Sequence, residues 1–153
     1  MSSSPITLNA WRVDVAGGTP VLVSVHTAAG YEESISVCTI PGSKPPWRCL
    51  VAWQRDWIPL LTLEDVPCNG VLVLNLYHTP GMSRVALPLS APPQLVELDD
   101  ADCEHFDLGQ CGLWSPAAIS GVCVEGECLP IIDPDRLVGV TFVSRWRCDS
   151  VCT

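Results

Sequence analysis

NGVLVLNLYHTPGMSRVALPL, at residues 69–89, predicts a β-hairpin beside which the other strands of the chain are laid. Asn69-Gly70 indicates a turn, because both residues adopt positive φ at low cost. The apolar run 71–77 that follows is typical of a strand buried on both faces. A second turn at 79–82 leads to an alternating strand over 83–89, since proline fixes φ and glycine accepts positive φ there. The hairpin therefore supplies two neighbouring strands of one sheet.

Short apolar runs between turn formers fill the rest of residues 8–98. The chain of 153 residues carries 14 prolines and 11 glycines, and frequent turn formers favour an all-β fold over a helical one. We predict a single domain over 1–153, an antiparallel β-sandwich of about eight strands that is C2-like or jelly-roll-like. A turn at 28–33 and a loop at 41–46 separate strands of this sandwich. Besides the hairpin, the predicted strands are 8–15, 21–27, 34–40, 47–53, 57–63 and 95–98.

The composition changes after residue 98. Carboxylates cluster between Asp99 and Asp107, and six of the nine cysteines lie beyond the start of this cluster. We therefore predict that 99–136 is an irregular, acidic and cysteine-rich excursion from the sandwich proper at 8–98. The β-branched and aromatic run 137–146, LVGVTFVSRW, then predicts a strand that returns to the sheet.

The charge of the chain disfavours two classes of partner. Its formal net charge is −9, with eight lysines and arginines against 17 carboxylates, which opposes a nucleic-acid backbone or an anionic lipid surface as the main partner. No apolar run approaches the ~20 residues that span a membrane, and the first residues lack the features of a secretory signal. We expect an intracellular or virion protein whose partners are other proteins of a larger complex.

The spacing of apolar residues in the middle of the chain resembles that of C2 domains, especially the divergent ones of phosphoinositide kinases and of scaffold or ciliary proteins. The resemblance spans residues 8–90 and is carried by Trp53, Trp57-Ile58-Pro59-Leu60, Val66-Pro67, 71–76 and 83–89. It implies an eight-stranded antiparallel sandwich with loops clustered at its ends. The loops that match calcium-binding loops, 28–33 and 78–83, contain no aspartate, so the resemblance implies a calcium-independent type.

The sequence contains no recognisable catalytic or cofactor-binding motif. Neither a phosphate-binding glycine-rich loop with lysine nor a G-x-S-x-G elbow occurs. A histidine-dependent catalytic set would need His26, His78 or His105, and the carboxylates around Cys103 disfavour its thiolate. The alternating acids of 100–104 imitate a calcium loop but lack its glycine and its final glutamate. We predict a non-enzymatic protein without a cofactor.

The nine cysteines leave three interpretations open: reduced buried thiols, disulfides, or metal ligands. An odd count leaves at least one thiol unpaired if the others form disulfides. Two closely spaced pairs near the C-terminus come near the spacing of zinc ligands. The candidate four-cysteine zinc site consists of Cys123, Cys128, Cys148 and Cys152.

Three of the six tryptophans, Trp47, Trp53 and Trp57, lie close together on predicted strands. Core filling accounts for two of them, and an exposed one would mark a protein interface, where aromatic side chains concentrate binding energy. We predict a non-enzymatic structural or adaptor subunit of a larger assembly. The alternatives are a viral capsid, cement or decoration protein stabilised by cysteines, a zinc-site protein, and a calcium-independent lipid-binding module of the C2 type.

Overall fold

The computed structural model describes residues 7–42, 47–62, 68–99, 104–105, 112, 114–124 and 126–139. Within these residues the chain is all-β except for one short helix, which confirms the predicted fold class. The elements are β1 (Thr7–Val13), β2 (Val21–Ser24), β3 (Ala28–Glu32), β4 (Val37–Thr39), β5 (Cys49–Trp53), β6 (Asp56–Leu60), β7 (Gly70–Asn75), β8 (Arg84–Leu89), β9 (Gln94–Asp99), β10 (Glu104–His105), β11 (Ala118–Val124), β12 (Glu127–Ile132) and α1 (Pro134–Leu137).

The strands form two six-stranded sheets that pack as a β-sandwich. Sheet 1 has the order β10-β11-β12-β2-β1-β9, and sheet 2 has the order β3-β7-β8-β6-β5-β4. Each sheet contains one parallel pair, β2 with β12 in sheet 1 and β6 with β8 in sheet 2. The prediction of an antiparallel sandwich of about eight strands is therefore corrected in two details: the sheets are mixed, and the described residues alone contain twelve strands.

The two sheets repeat one order of pairings. In sheet 1, the hairpin β1–β2 meets the hairpin β11–β12 through the parallel pair of β2 and β12. In sheet 2, the hairpin β5–β6 meets the hairpin β7–β8 through the parallel pair of β6 and β8. One further strand covers each outer side of these hairpin pairs.

Three apolar cores stabilise this arrangement. One lies between the sheets and includes Val13, Val23, Leu74 and Leu87. A second belongs to sheet 1 alone, and a third to sheet 2 alone. Sheet 2 must roll to enclose its own core, because a Cβ atom added to Gly30 on the edge strand β3 would lie 3.0 Å from the ring of Trp53 on β5.

The predicted central hairpin is confirmed as β7–β8, paired in register from Gly70 with Leu89 to Asn75 with Arg84. Leu72 and Leu87 face the core between the sheets, whereas Val73 and Ala86 face the core of sheet 2. Both faces are therefore buried, as a short continuous apolar run predicts. Each fully buried Val or Leu side chain stabilises the fold by about 1.5–3 kcal/mol.

Two segments that the sequence predicts to be irregular contain strands. The expected turn 28–33 contains β3, whose residues pair with β7. The expected irregular excursion 99–136 contains the hairpin β11–β12, which pairs from Ala118 with Ile132 to Val124 with Glu127. Gly126 has a φ of 81° at the tip of this hairpin, a conformation that glycine adopts at little cost. Local composition misled the prediction, because pairing with distant strands outweighs weak β-propensity.

The predicted returning strand 137–146 begins differently. Leu137 ends the short helix α1, which Asp133 caps by accepting a hydrogen bond from the N–H of Asp135, with Pro134 inside the first turn. An N-cap aspartate followed by proline is a typical helix start. The remainder, 140–146, lies outside the described residues. The proposed division into 8–98, 99–136 and 137–146 as domain parts stays a prediction.

The helix also joins the two sheets. The Asp135 carboxylate accepts hydrogen bonds from the Thr79 hydroxyl at 2.7 Å, the His78 N–H at 3.0 Å and the Tyr77 N–H at 3.2 Å. Burial of the carboxylate opposes its ionisation, but these hydrogen bonds outweigh burial and lower the pKa of Asp135 below its ordinary value. The connection after β7 is thereby held against the segment that follows β12.

Candidate interaction surface

Strands β4, β5 and β6 of sheet 2 expose an apolar outer face. Residues directly opposite one another in an antiparallel pair share a face. Cys38 lies opposite Leu50, which in turn lies opposite Pro59, and Ala52 lies opposite Trp57. Outer faces of antiparallel sheets normally carry polar side chains. We call this set of five residues the outer face of sheet 2.

Trp57 is the largest exposed group on the outer face of sheet 2. Its side chain is 57% exposed, although an aromatic residue of this size normally buries most of its surface. Next to it lies a groove of about 390 Å³ between β6 and the residues that precede β8. The groove lining includes Leu50, Asp56, Trp57, Pro59, Met82 and Arg84.

The three candidate tryptophans occupy different environments. Trp57 is exposed, whereas Trp53 is buried at 6% exposure in the core of sheet 2 and Trp47 is half-buried against the core between the sheets. A buried ring offers almost no surface to a partner, so its burial gives Trp53 no support as an interface candidate. Trp47 and Trp57 remain predictions, and Trp57 has the greater free surface.

Arg84 is held at the groove by two contacts. Its guanidinium carbon lies 4.9 Å from the centroid of the Trp53 ring, and its Nε donates to Asn75 Oδ1 at 3.4 Å. A guanidinium over an indole face is attracted by the ring quadrupole. No carboxylate forms an ion pair with Arg84 in the part of the chain that the structure describes. Arg84 also lines the groove, and its charge has no neutralising carboxylate among these residues.

The turn between β5 and β6 is strained. Gln54 and Arg55 have φ angles of 47° and 70°, in the left-handed region that glycine and asparagine favour at a two-residue hairpin turn. Left-handed backbone costs about 1–2 kcal/mol for each L-residue. Arg55 is exposed and forms no ion pair with a described residue. The strained turn therefore carries an exposed arginine at the end of the β5–β6 hairpin.

A second groove, of about 520 Å³, lies between the sheets and is lined by Trp11, Tyr31, Pro92 and Pro93 among others. No charged side chain lines it in the described part of the chain. Burial raises the pKa of Tyr31, and the neighbouring Glu33 raises it further. The phenol therefore stays neutral, and this groove offers only apolar and uncharged contacts.

Two of the four cysteines of the predicted zinc site are bonded to each other. Cys123 and Cys128 lie opposite one another on β11 and β12 and form a disulfide. Zn²⁺ binds thiolates, so these two sulfurs are not ligands in this state. Cys148 and Cys152 lie outside the described residues, and the four-cysteine site stays a prediction. The interpretation of reduced thiols is corrected for the bonded pair.

Three described cysteines lie outside the disulfide. Cys38, Cys49 and Cys68 are free, and burial raises the pKa of Cys68, which disfavours its thiolate. In the described ranges, no group of three or more His, Cys, Asp and Glu side chains could hold a metal ion. His26 and His78 lie in the segments that follow β2 and β7. The side chain of His105 is outside the described set.

No helix among the residues that the structure describes is both long and apolar enough to cross a membrane.

Sequence analysis named Trp57 among three interface candidates and named neither Arg84 nor Arg55. The predicted strands 47–53 and 57–63 are separated by Gln54-Arg55-Asp56, and the lack of glycine in this gap was a signal that could have indicated strain. Arg84 gave no such signal, because its position over Trp53 depends on the parallel pairing of β6 with β8. Side chains that meet through nonlocal pairing leave no local pattern in a sequence.

No family model matches the chain, and no curated protein matches it. Among solved structures, the chain is similar to the scaffolding protein TtCheW from Thermoanaerobacter tengcongensis, with a TM-score of 0.67 and 10% sequence identity. The similarity covers 90% of this chain and 96% of that one. At this identity the likeness shows a shared fold. The resemblance to C2 domains stays a prediction.

Proposed function

We propose that this protein is a non-enzymatic adaptor or scaffold that binds other proteins through the outer face of sheet 2 and the groove beside it. The observation that carries the proposal is the exposed indole of Trp57, set in an apolar face next to a groove whose lining includes Arg84. Protein interfaces are enriched in tryptophan and arginine, which often dominate the binding energy.

The fold is compatible with this role. A structure of similar fold is described as a scaffolding protein, which supports the proposal by analogy of fold alone. The proposal does not rely on the described thiols and histidines. Its working residues are apolar or cationic groups whose role is contact with a partner.

Site-directed photocrosslinking in the source cells tests the proposal. A photoreactive phenylalanine derivative at position 57 should form discrete covalent adducts with one or a few proteins. The same group at Leu95, which is 58% exposed on β9 of sheet 1, is the matched control and should give weaker or different adducts. The proposal fails if position 57 gives no adduct, or if both positions give the same adducts.

A second candidate function is a structural protein of a virion, locked by cysteines. The disulfide between Cys123 and Cys128 favours it, because structural disulfides persist in extracellular particles and are rare in a reducing cytosol. Size-exclusion chromatography with light scattering tests it. Large closed assemblies of many copies would support this candidate, and a monomer or dimer at high concentration would contradict it. The zinc-site and lipid-binding alternatives stay predictions.

A further inference from the structure

We infer that the partner segment bound at the Trp57 groove is acidic, with one apolar side chain in the groove and a carboxylate on Arg84. This inference rests on the proposed function and adds the chemistry of the partner. It rests on the charges around the groove, the fixed position of Arg84 and the retained strain at Arg55.

The charges around the groove oppose those of the whole chain. The formal net charge of the protein is −9. Among the described residues, the groove is lined by Arg84 and Asp56, and the neighbouring turn adds the exposed Arg55. Neither arginine forms an ion pair with Asp56 or with another described carboxylate. A local excess of positive charge on an acidic protein favours an acidic segment over a neutral or basic one.

The contacts of Arg84 prepare it for a carboxylate. The Trp53 ring packs against the guanidinium, and the Asn75 side-chain oxygen accepts a hydrogen bond from its Nε. The two terminal nitrogens are left without a hydrogen-bond acceptor among the described residues. A planar guanidinium donates two parallel hydrogen bonds to a carboxylate, and prior fixation reduces the entropy that binding would otherwise cost.

The strain at Arg55 is a second, independent observation. Glycine or asparagine would adopt the left-handed backbone of this turn at lower free energy. Folding stability alone therefore does not explain why arginine occupies this position. Strained backbone of this kind concentrates at functional sites. The guanidinium of Arg55 stands at the end of the same hairpin as Trp57, where it can contact a second acidic side chain of the partner.

The size of the groove limits the partner contact to a short segment. Its volume of about 390 Å³ lies near the lower end of the range for small-ligand pockets, roughly 300–1,000 Å³. Leu50, Pro59 and Met82 supply apolar walls, which suit one large apolar side chain. The inferred ligand is therefore an apolar residue flanked by aspartate or glutamate.

Selection from a display library of random linear peptides tests the inference without knowledge of the partner. The immobilised full-length protein is the bait, and peptides that also bind the Trp57→Ala variant are removed. We expect the remaining pool to be enriched in Asp and Glu next to Leu, Met or aromatic residues. A Trp57-dependent pool without excess of acidic residues overturns the inference and leaves the proposed function standing. If no Trp57-dependent pool is obtained, both fail.

Titration of one selected peptide against variants gives the second measurement. Arg84→Gln should weaken binding roughly 10- to 100-fold, the effect of removing a charge-assisted hydrogen-bond pair, and Arg84→Lys should restore part of it. Arg55→Gln should weaken binding about two- to threefold, as expected for a rim charge. Raising the salt concentration should weaken binding to the wild-type protein and change binding to Arg84→Gln less.

Arg136→Gln is the matched control, since Arg136 is an exposed arginine that donates to the Ala118 carbonyl of sheet 1 and is not among the described residues that line the groove. Thermal unfolding of each variant shows that the fold is retained. Binding that is unchanged in Arg84→Gln while Trp57→Ala abolishes it would overturn the acidic partner and retain the surface. Equal loss in Arg84→Gln and Arg136→Gln would also overturn the inference.

Discussion

The two sheets share one order of pairings but differ in what their arginines contact. In sheet 1, Arg12 lies 2.7 Å from Glu127 and 2.9 Å from Asp14, and the hydrogen bond to Glu127 raises the pKa of its guanidinium. In sheet 2, Arg84 contacts a ring and an amide. The disulfide between Cys123 and Cys128 further links two strands of sheet 1.

Under the proposed function, this difference separates two kinds of surface on one framework. Where an arginine forms ion pairs with carboxylates of the same chain, its charge is neutralised and its N–H groups are already used. Such an arginine attracts an acidic partner only weakly. Where a cation is held only by a ring and an amide, its hydrogen-bonding capacity remains for another molecule. We call sheet 1, whose Arg12 is ion-paired within the chain, the closed half of the sandwich. We call sheet 2, which carries the proposed interaction surface, the open half.

The largest expected effect separates the inner and outer faces of sheet 2. Trp53→Ala should lower the free energy of unfolding by about 3–5 kcal/mol, because it removes a buried ring and leaves a cavity. Trp57→Ala should change it by less than about 0.5 kcal/mol, since the exposed indole contributes little to the core. Urea unfolding of both variants measures the difference. Equal losses would place Trp57 in the core and remove the open surface.

Removal of the disulfide tests the closed half. Replacing Cys123 and Cys128 together by serine should lower the free energy of unfolding by about 2 kcal/mol under oxidising conditions, because the bond restricts the unfolded chain. In the presence of a reductant, the wild-type protein and the double variant should unfold at similar urea concentrations. An identical midpoint under oxidising conditions would show that the bond does not contribute to stability.

Asp135→Asn tests the joint between the sheets. The variant keeps the side-chain shape but loses the charge that accepts three hydrogen bonds, so we expect a loss of about 1–2 kcal/mol at neutral pH. Because the pKa of Asp135 is lowered on folding, its stabilisation is fully present above the unfolded-state value of about 3.9. It is lost as the pH falls through the lower folded-state pKa. Urea unfolding across this range should show the two proteins converging, and a constant difference would contradict the assignment.

The smallest expected effect is a gain in stability. Arg55→Gly should raise the free energy of unfolding by about 1 kcal/mol, because glycine relieves the left-handed backbone. The same change should weaken binding of an acidic peptide, so stability and binding move in opposite directions. Gln54→Gly is the control, which should stabilise by a similar amount and leave binding unchanged. A loss of stability in both variants would show that the turn is not strained.

Local sequence signals predicted the parts of the fold that local physics determines. The hairpin β7–β8 was predictable because turn residues and apolar runs coincide there. The strand β3 was not, because AAGYE has little β-propensity and Gly30 is explained only by the Trp53 ring packed on it. The hairpin β11–β12 was hidden by acidic and cysteine-rich composition, although Glu125-Gly126 is a plausible two-residue turn.

The candidate site was predictable only in part for the same reason. An excess of tryptophan pointed to an interface, but the sequence could not separate the buried Trp53 from the exposed Trp57. Alternation along β5 and β6 assigns them to opposite faces once the register is known. The position of Arg84 follows from a parallel pairing between strands that are not adjacent in the chain, and no local pattern specifies such a contact.

Sheet 2 is built from one continuous stretch of chain, and sheet 1 from both ends of it. Every strand of sheet 2 lies between β3 and β8, whereas β1 and β2 precede that stretch and β9 to β12 follow it. During synthesis, β2 can pair with its parallel neighbour β12 only after that strand has been made, since Leu22 pairs with Ile131. Closing so long a loop is slow. We expect pulse-labelled hydrogen exchange to show protection in β7 before β2, so that sheet 2, which carries the proposed binding surface, forms first and sheet 1 is completed last.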